Sequence, residues 1–326
     1  MIVAGQAQTT DQWQQITFDP WVTMKDAGMI AVDQVSKRYD GRLVVDDLSF
    51  TVQAGRVTGF VGPNGAGKSS TMRMMVGLSA PDSGSVTYSG IPFAQLSHPA
   101  TVVGAALDPR CMHPGRSARQ HLRSIAALGG IPVERSSVVL ALVGLESVAN
   151  QRVGAFSLGM RQRLALAGAL LGNPTVLILD EPANGLDPEG MRWLRGFLRA
   201  FADGGGAVLV SSHLIAELGL FVDDIVVLGG GRLIAAAPVD EILGRAASSV
   251  VVSTSQPAEL FHLLQQHGLT ATLDDGRIQV PDTTREVIAG LAFDHQIQLD
   301  ELTEVRPSLE DILLNLTSPA AQFTAA

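Results

Sequence analysis

The sequence predicts an α/β fold built on a mainly parallel sheet, followed by a smaller α+β unit. Short apolar strands alternate with helical segments up to about residue 245, which is typical of a parallel sheet. Within that alternation, apolar residues take helical spacing over about 110–172, which indicates a helical insertion. After Gly244 the pattern changes to β-α-β-β-α-β, the order of a ferredoxin-like unit. We therefore expect segments at 1–28, 29–245 and 246–326.

Apolar runs locate the elements of the first unit. Alternating residues predict strands that begin near Ile30 and Leu48, the first ending in a turn at 37–41. Continuous runs predict buried strands at 57–61, 175–180, 207–211 and 224–228, and residues 70–76 are predicted to be helical.

The second unit is shorter and its elements are predicted in the same way. Strands are expected at 249–253, 270–273, 277–280 and 297–302, with helices at 258–267 and 283–291. Asp274-Asp275-Gly276 is a hairpin signal between two of these strands. A closing helix is expected over 307–316, because Pro307, Ser308 and Glu310 suit a first turn.

Composition excludes several classes of protein. The chain has 326 residues and a formal net charge of −9, which argues against a partner that is nucleic acid, since phosphate neutralisation needs a basic surface. A hydrophobic fraction of 46% excludes disorder for most of the chain. The single cysteine, Cys111, excludes an intrachain disulfide. Because no apolar run approaches ~20 residues and the first residues do not resemble a secretory signal, we expect a soluble chain of the cytoplasmic type.

Residues 1–28 are polar and aperiodic, with Trp13 and Trp21 as the large anchors. The favoured interpretation is a poorly ordered leader. The alternative is a docking arm that lays its two indole rings on a partner. A true start at Met24 or Met29 is a further alternative.

A phosphate-binding loop is predicted between the strand 57–61 and the following helix. The run Gly62-Pro63-Asn64-Gly65-Ala66-Gly67-Lys68-Ser69 fits G-x-x-x-x-G-K-[ST], and Ser70 continues it into the helix. The glycines let successive backbone N–H groups turn inward, and the helix N-terminus favours an anion. Lys68 is then expected to reach the β- and γ-phosphates, and Ser69 to ligate Mg²⁺.

Two acids follow the buried strand 175–180. Asp180 ends that strand, where open α/β sheets bind ligands, and is expected to hold Mg²⁺ through water. Glu181 comes one residue later and is the candidate general base for an attacking water. Without the glycine-rich loop, two acids beginning a loop would be the simpler interpretation.

With these residues in view, the chain resembles the ATP-binding subunits of ATP-binding cassette (ABC) transporters. Phe156-Ser157-Leu158-Gly159-Met160, followed by Arg161-Gln162-Arg163, is similar to their signature motif. Asp180-Glu181-Pro182 through Gly185-Leu186-Asp187-Pro188 is similar to their Walker B motif and D-loop. His213 matches their switch histidine, and Tyr39 matches the aromatic residue that stacks on adenine. Six motifs in the family's order cover roughly residues 30–245.

The resemblance implies roles for residues that are ambiguous by themselves. Ser157 alone would be a helix N-cap, and His213 alone would be a structural loop residue. In the family, Ser157 and Gly159 of one copy complete the ATP site of a second copy, and His213 joins Glu181 in catalysis. ATP and Mg²⁺ are the implied cofactors. A separate integral-membrane permease is the implied partner, at the cytoplasmic face of the cell membrane.

Two positions depart from the family's pattern. Asp108 falls where the Q-loop glutamine is expected; an acid there can still contact Mg²⁺ or water but adds negative charge beside ATP. Leu158 replaces the second-position glycine of the signature. The acidic Q-loop and the C-terminal extension resemble the drug- and antibiotic-export branch.

The resemblance therefore implies an ABC-type ATP-binding domain at 29–245 that hydrolyses ATP to power export of a drug, antibiotic or lipid-like substrate. The C-terminal segment 246–326 is expected to be a non-catalytic docking or regulatory domain. The alternatives are an ABC protein acting on ribosomes or DNA, and a soluble regulatory ATPase that is not coupled to transport.

Overall fold

The computed structural model describes residues 30–213, 215–244, 249–274, 276–305 and 307–321, so the predicted leader at 1–28 lies outside the described residues. The chain divides into two compact units, the first extending to Pro238 and the second running from Val239 to Leu316. The sequence placed this boundary after residue 245, seven residues later. In the described part of the chain, no helix is both long and apolar enough to span a membrane.

The first unit contains two sheets. In chain order its strands are β1 (Ile30–Tyr39), β2 (Arg42–Val52), β3 (Val57–Val61), β4 (Ser83–Tyr88), β5 (Ile91–Pro92), β6 (Val103–Ala106), β7 (Val176–Leu179), β8 (Ala207–Ser211), β9 (Asp224–Gly229) and β10 (Arg232–Pro238). The larger sheet has the order β10-β9-β3-β8-β7-β6 and is parallel except for β10. A separate antiparallel sheet has the order β2-β1-β4-β5.

Helices join these strands and form the predicted insertion. They are α1 (Lys68–Met75), α2 (Pro99–Val102), α3 (Ala118–Leu128), α4 (Arg135–Leu142), α5 (Leu158–Ala169), α6 (Pro188–Asp203) and α7 (Ile215–Leu218). The helical insertion expected over about 110–172 is made of α3, α4 and α5. Each of α3, α5 and α6 has a polar N-cap whose side chain accepts a backbone N–H: Ser117, Ser157 and Asp187.

The central strands are buried because both faces of the parallel sheet are covered. Every residue of β3, β7 and β8 is buried, which explains their continuous apolar runs. A core cluster joins these strands to β1, β2 and α1, with Phe60, Met72 and Tyr88 among its largest side chains. The core therefore fixes the strand–loop–helix passage from β3 to α1.

A charged network ties β3, β9 and α6 together at the end where β3 begins. Arg56 donates to both carboxylate oxygens of Asp224, at 2.5 and 2.6 Å. Asp223 accepts from Arg199 of α6 and from the backbone N–H of Val57. These bonds fix the start of β3, which lies at the end of the sheet opposite the carboxyl ends of the parallel strands.

The second unit has the predicted ferredoxin-like order. Its elements are α8 (Val239–Gly244), β11 (Ser249–Thr254), α9 (Pro257–Gln266), β12 (Thr272–Asp274), β13 (Arg277–Pro281), α10 (Arg285–Asp294), β14 (Leu299–Val305) and α11 (Leu309–Ala321), the last of which continues past the end of the unit at Leu316. The sheet order is β12-β13-β11-β14 with every pairing antiparallel. Val250, Leu264 and Ile288 belong to its own apolar core, so this unit buries its apolar residues independently.

Candidate nucleotide-binding site

A cavity of about 540 Å³ lies where β3 and β7 end and α1 begins. The residues that line it come from the glycine-rich loop, the acidic strand end and two connecting segments: Val44, Asn64, Gly65, Ala66, Gly67, Lys68, Ser69, Ser70, Arg73, Leu107, Asp108, Pro109, Arg110, Leu158, Gln162, Asp180, Glu181 and Asn184. The parallel order places these segments together, because β3 and β7 flank β8 and point the same way.

Two glycines of the loop are required by its close packing. Gly67 has a φ of +98° and caps α1, and a Cβ there would lie 2.8 Å from the carbonyl oxygen of Val44. A Cβ at Gly62 would overlap the carbonyl oxygen of Leu228. Glycine alone adopts such a backbone without strain. The loop therefore turns directly into α1 with its N–H groups at the helix start.

Lys68 is 8% exposed and lies under the loop. Its Nζ donates to the carbonyl oxygens of Gly62 at 2.5 Å and Pro63 at 3.2 Å. Burial lowers the pKa of Lys68, while the nearby charges of Glu181 and Asp180 oppose that shift. An anion entering the cavity would offer the ammonium a stronger partner than two carbonyl groups.

Asp180 is held between two hydroxyl groups at the end of β7. Ser69 Oγ donates to its Oδ2 at 2.7 Å, and Ser211 Oγ donates to its Oδ1 at 2.5 Å. A hydroxyl and a carboxylate are hard oxygen donors that suit Mg²⁺. Among the described residues, no group of three or more His, Cys, Asp or Glu could hold a metal ion.

Glu181 is fixed at both its backbone and its carboxylate. Its N–H donates to Ser211 Oγ at 2.9 Å, and its Oε2 lies 2.7 Å from Nδ1 of His213. Because an ionised carboxylate can only accept, Nδ1 carries the proton whenever Glu181 is charged. Glu181 has a φ of +50°, which costs a non-glycine residue on the order of 1 kcal/mol. The surrounding bonds offset that cost. The structure places His213 beside Glu181, and their catalytic roles stay predictions.

Asp108 lines the cavity with its charge already paired. Arg110 donates to it from its backbone N, Nε and Nη2, at 2.9, 3.0 and 3.2 Å. The Arg110 guanidinium holds the pKa of this carboxyl below its usual range. The negative charge that the sequence predicts beside the nucleotide is therefore paired with the positive charge of Arg110. Asp108 as a Mg²⁺ ligand stays a prediction.

Tyr39 is not among the residues that line the cavity. It ends β1, is 40% exposed, and its hydroxyl lies 3.2 Å from Ser79 Oγ. Lys37 Nζ lies 5.6 Å from the centroid of its ring. Adenine stacking on this ring stays a prediction, which the exposed position allows.

The signature segment lies at the start of α5. Ser157 is exposed and accepts the N–H of Met160 at 3.2 Å, which makes it the N-cap of α5. Leu158, unlike Ser157 and Gly159, lines the cavity of its own chain. Its side chain lies against Gly185, which has a φ of +76°. Leu158 thus packs the signature onto the loop that follows Glu181.

Comparisons with known proteins identify the family of the chain. The family described as ABC transporter matches residues 45–184, and a domain family of unknown function, DUF8746, matches residues 248–310. The chain is 37% identical over 292 residues to the ABC transporter ATP-binding protein YhcH of Bacillus subtilis (strain 168), covering 89% of this chain and 96% of that protein. The chain belongs to the ABC transporter ATP-binding proteins.

Other members of the ABC family are similar over less of the chain. The bacitracin transport ATP-binding protein BcrA of Bacillus licheniformis is 34% identical, with 73% of this chain and 79% of that protein covered. A solved structure of an ATP-binding subunit of an ABC transporter superposes with a TM-score of 0.61 at 27% identity, covering 67% of this chain and 92% of that one. This ABC protein is accordingly an ATPase of the family that powers transport.

Lys68→Ala is expected to weaken ATP binding to this ABC protein by ~10-fold or more. The substitution removes a charge-assisted contact to the phosphates worth about 1.5–3 kcal/mol. Titration with a fluorescent ATP analogue measures the change. Arg123→Ala, which removes one positive charge from the exposed side of α3, is the matched control and should bind as the wild type does. Unchanged affinity of Lys68→Ala would contradict the assignment of the phosphate loop.

Proposed function

We propose that this chain is the ATP-hydrolysing subunit that powers export of a drug, antibiotic or lipid-like substrate through a separate membrane permease. One observation carries the proposal: a single cavity gathers Lys68, Ser69, Asp180 and Glu181. Together they offer a cation for phosphate, oxygen ligands for Mg²⁺ and a base for water. The printed name of BcrA, bacitracin transport, supports the export branch. The C-terminal segment is consistent with that branch.

Binding of ATP places its phosphates over the loop between β3 and α1. The N–H groups from Asn64 to Ser69 and the helix N-terminus face the phosphate oxygens. Lys68 exchanges the carbonyl oxygens of Gly62 and Pro63 for the β- and γ-phosphates. Ser69 and Asp180 would hold Mg²⁺, which when bound would offset negative charge on the phosphates. Tyr39 would take the adenine ring, and Asp108 would contact Mg²⁺ or its water.

Hydrolysis uses Glu181 as the general base. His213 donates to Oε2, so Oε1 is left to accept a proton from the attacking water. Since the histidine holds one carboxylate oxygen, the other is oriented before ATP arrives. Water attacks the γ-phosphorus, the bond to the β-phosphate oxygen breaks, and ADP and phosphate are released.

A second copy completes the site. Cassettes of this family dimerise and work with membrane permease components. Ser157 and Gly159 of one copy face the γ-phosphate bound at Gly62–Ser69 of the other, for which the exposed N-cap at the start of α5 is suited. Closure and reopening of the pair drive the permease. The chain then works at the cytoplasmic face of the cell membrane.

The C-terminal unit docks copies or neighbouring subunits to each other. It has its own core and sheet, and its described residues supply no phosphate loop. Holding paired cassettes close raises their effective concentration to roughly millimolar for short flexible links. The unit would thus favour closure without touching the nucleotide.

Purification from membranes in detergent tests the transport function. The wild-type chain is expected to carry with it a stoichiometric integral-membrane permease, identified by mass spectrometry.

Truncation tests the docking role of the C-terminal unit. A chain ended after Pro238, where the second unit begins, should bind ATP normally but lose ATPase activity at low protein concentration and recover it as concentration rises.

Each of these two experiments has a result that would contradict its prediction. Recovery of ribosomal proteins or nucleic acid in place of a permease would contradict the transport function and favour the alternatives. A shortened chain that matches the wild type at every concentration, alone and with the permease, would contradict the docking role of the C-terminal unit.

A further inference from the structure

Gln162 lies on α5 and reaches across to the loop that carries Glu181. Its Nε2 donates to the main-chain carbonyl oxygen of Glu181 at 3.1 Å, over a separation of 19 residues. Gln162 is 7% exposed and also lines the cavity, and the bond itself is part-buried. The bond therefore links α5, the helix at whose start the signature lies, to the backbone of Glu181.

The backbone of Glu181 is bound on both sides of its α-carbon. Its N–H donates to Ser211 Oγ at 2.9 Å, and its carbonyl oxygen accepts the N–H of Asn184 at 3.2 Å as well as Gln162 Nε2. With a φ of +50°, the residue occupies a conformation that a side chain of this size rarely adopts. Such conformations persist where surrounding bonds determine them.

We propose that Gln162 is a positioning residue that holds the Glu181 peptide so that its carboxylate faces the attacking water. This inference rests on the proposed role of Glu181 as base. His213 fixes the carboxylate end of the side chain, and Gln162 and Ser211 fix the backbone from which it extends. Release of the carbonyl lets the backbone relax, which redirects the carboxylate.

Gln162→Met removes the donor and keeps a side chain of similar length. The expected result is a fall in kcat of about 10- to 100-fold, the range that misplacement of a reacting group produces, with KM for ATP unchanged. Steady-state phosphate release over a range of ATP concentrations separates the two constants.

Gln162→Glu gives a readout that a purely structural role would not move. At high pH the introduced carboxylate cannot donate and repels the carbonyl oxygen. When protonated it donates as the amide does, and burial raises the pKa of such a carboxyl. The kcat of Gln162→Glu relative to wild type should therefore rise as pH falls from 8 to 6. The same ratio for Gln162→Met should stay flat.

Arg135→Met is the matched control. Arg135 donates to the carbonyl oxygens of Leu170 and Leu171 at the far end of α5, at 3.3 and 3.2 Å, so its loss weakens the anchoring of that helix without touching Glu181. Its kcat and KM should equal those of the wild type even if the melting temperature falls.

Three results would overturn the positioning role: a wild-type kcat in both Gln162 variants, an effect confined to KM, or a pH-independent ratio for Gln162→Glu. Glu181→Gln separates this failure from failure of the proposed function. If Glu181→Gln is slow and Gln162→Met is not, only the role of Gln162 is wrong. If Glu181→Gln is fast, the base has been misassigned.

Discussion

Glu181→Gln is expected to bind ATP as the wild type does and to hydrolyse it roughly 10²–10⁴ times more slowly, the usual contribution of a general base. The amide has the size of the carboxylate and can remain beside His213, but it cannot take a proton from water. Single-turnover phosphate release and a nucleotide titration on the same sample measure the two quantities.

Glu189→Gln is the control for that variant. Glu189 is an exposed acid in the first turn of α6, so its neutralisation removes the same charge away from the cavity. It should retain wild-type turnover. Wild-type phosphate release by Glu181→Gln would contradict the assignment and make His213 or Asp108 the next candidates.

Ser157→Arg is expected to abolish hydrolysis while a lone subunit still binds ATP. Ser157 is exposed and does not line the cavity of its own chain, which fits the proposed contact with phosphate bound to the second copy. Arginine adds bulk and charge where the two copies must close. Loss of the N-cap costs only about 1 kcal/mol and does not account for complete inactivation.

Mixed pairs sharpen the Ser157 test. When Ser157→Arg and Lys68→Ala subunits pair, one composite site carries both changes and the other carries neither. If one intact site can turn over alone, mixing should therefore restore hydrolysis above that of either variant by itself. Ser117→Arg, which replaces the N-cap of α3, is the control and should hydrolyse ATP alone. Activity of Ser157→Arg by itself would contradict a site shared between copies.

The parts of the fold that the sequence predicts are those with a local signal. The buried strand 57–61, the loop after it and the acidic end of β7 each combine an apolar run with specified polar residues. Their meeting at one edge follows from the parallel order alone. The hairpin signal at 274–276 likewise predicts that the strands on either side of it pair, as β12 and β13 do.

The sequence analysis did not predict two strands in which apolar and polar or small residues are mixed. The antiparallel strand Ser83–Tyr88 has only two buried residues, and Val103–Ala106 is short and contains Gly104, where a Cβ would overlap the carbonyl oxygen of Ala169. Their pairing is decided by tertiary packing, which a single sequence does not display.

Site residues that act through long-range bonds were missed for a related reason. Gln162 looks like one polar residue on a helix, and Ser211 like the end of a strand. Ser211 lies beside Asp180 because β7 and β8 are paired. A prediction of that pairing would have placed the two residues together. The Arg110 partner of Asp108 follows it by two residues, but only the turn of the backbone brings the guanidinium back.

Sedimentation of Glu181→Gln with and without ATP and Mg²⁺ tests the shared site most directly, because slow hydrolysis preserves the closed pair. We predict the mass of one subunit without nucleotide and of two subunits at saturating ATP, with the pair lost when Ser157→Arg is added to the same chain. A single-subunit mass with ATP bound, or a pair that forms equally well without ATP, would contradict an ATP site completed by a second copy.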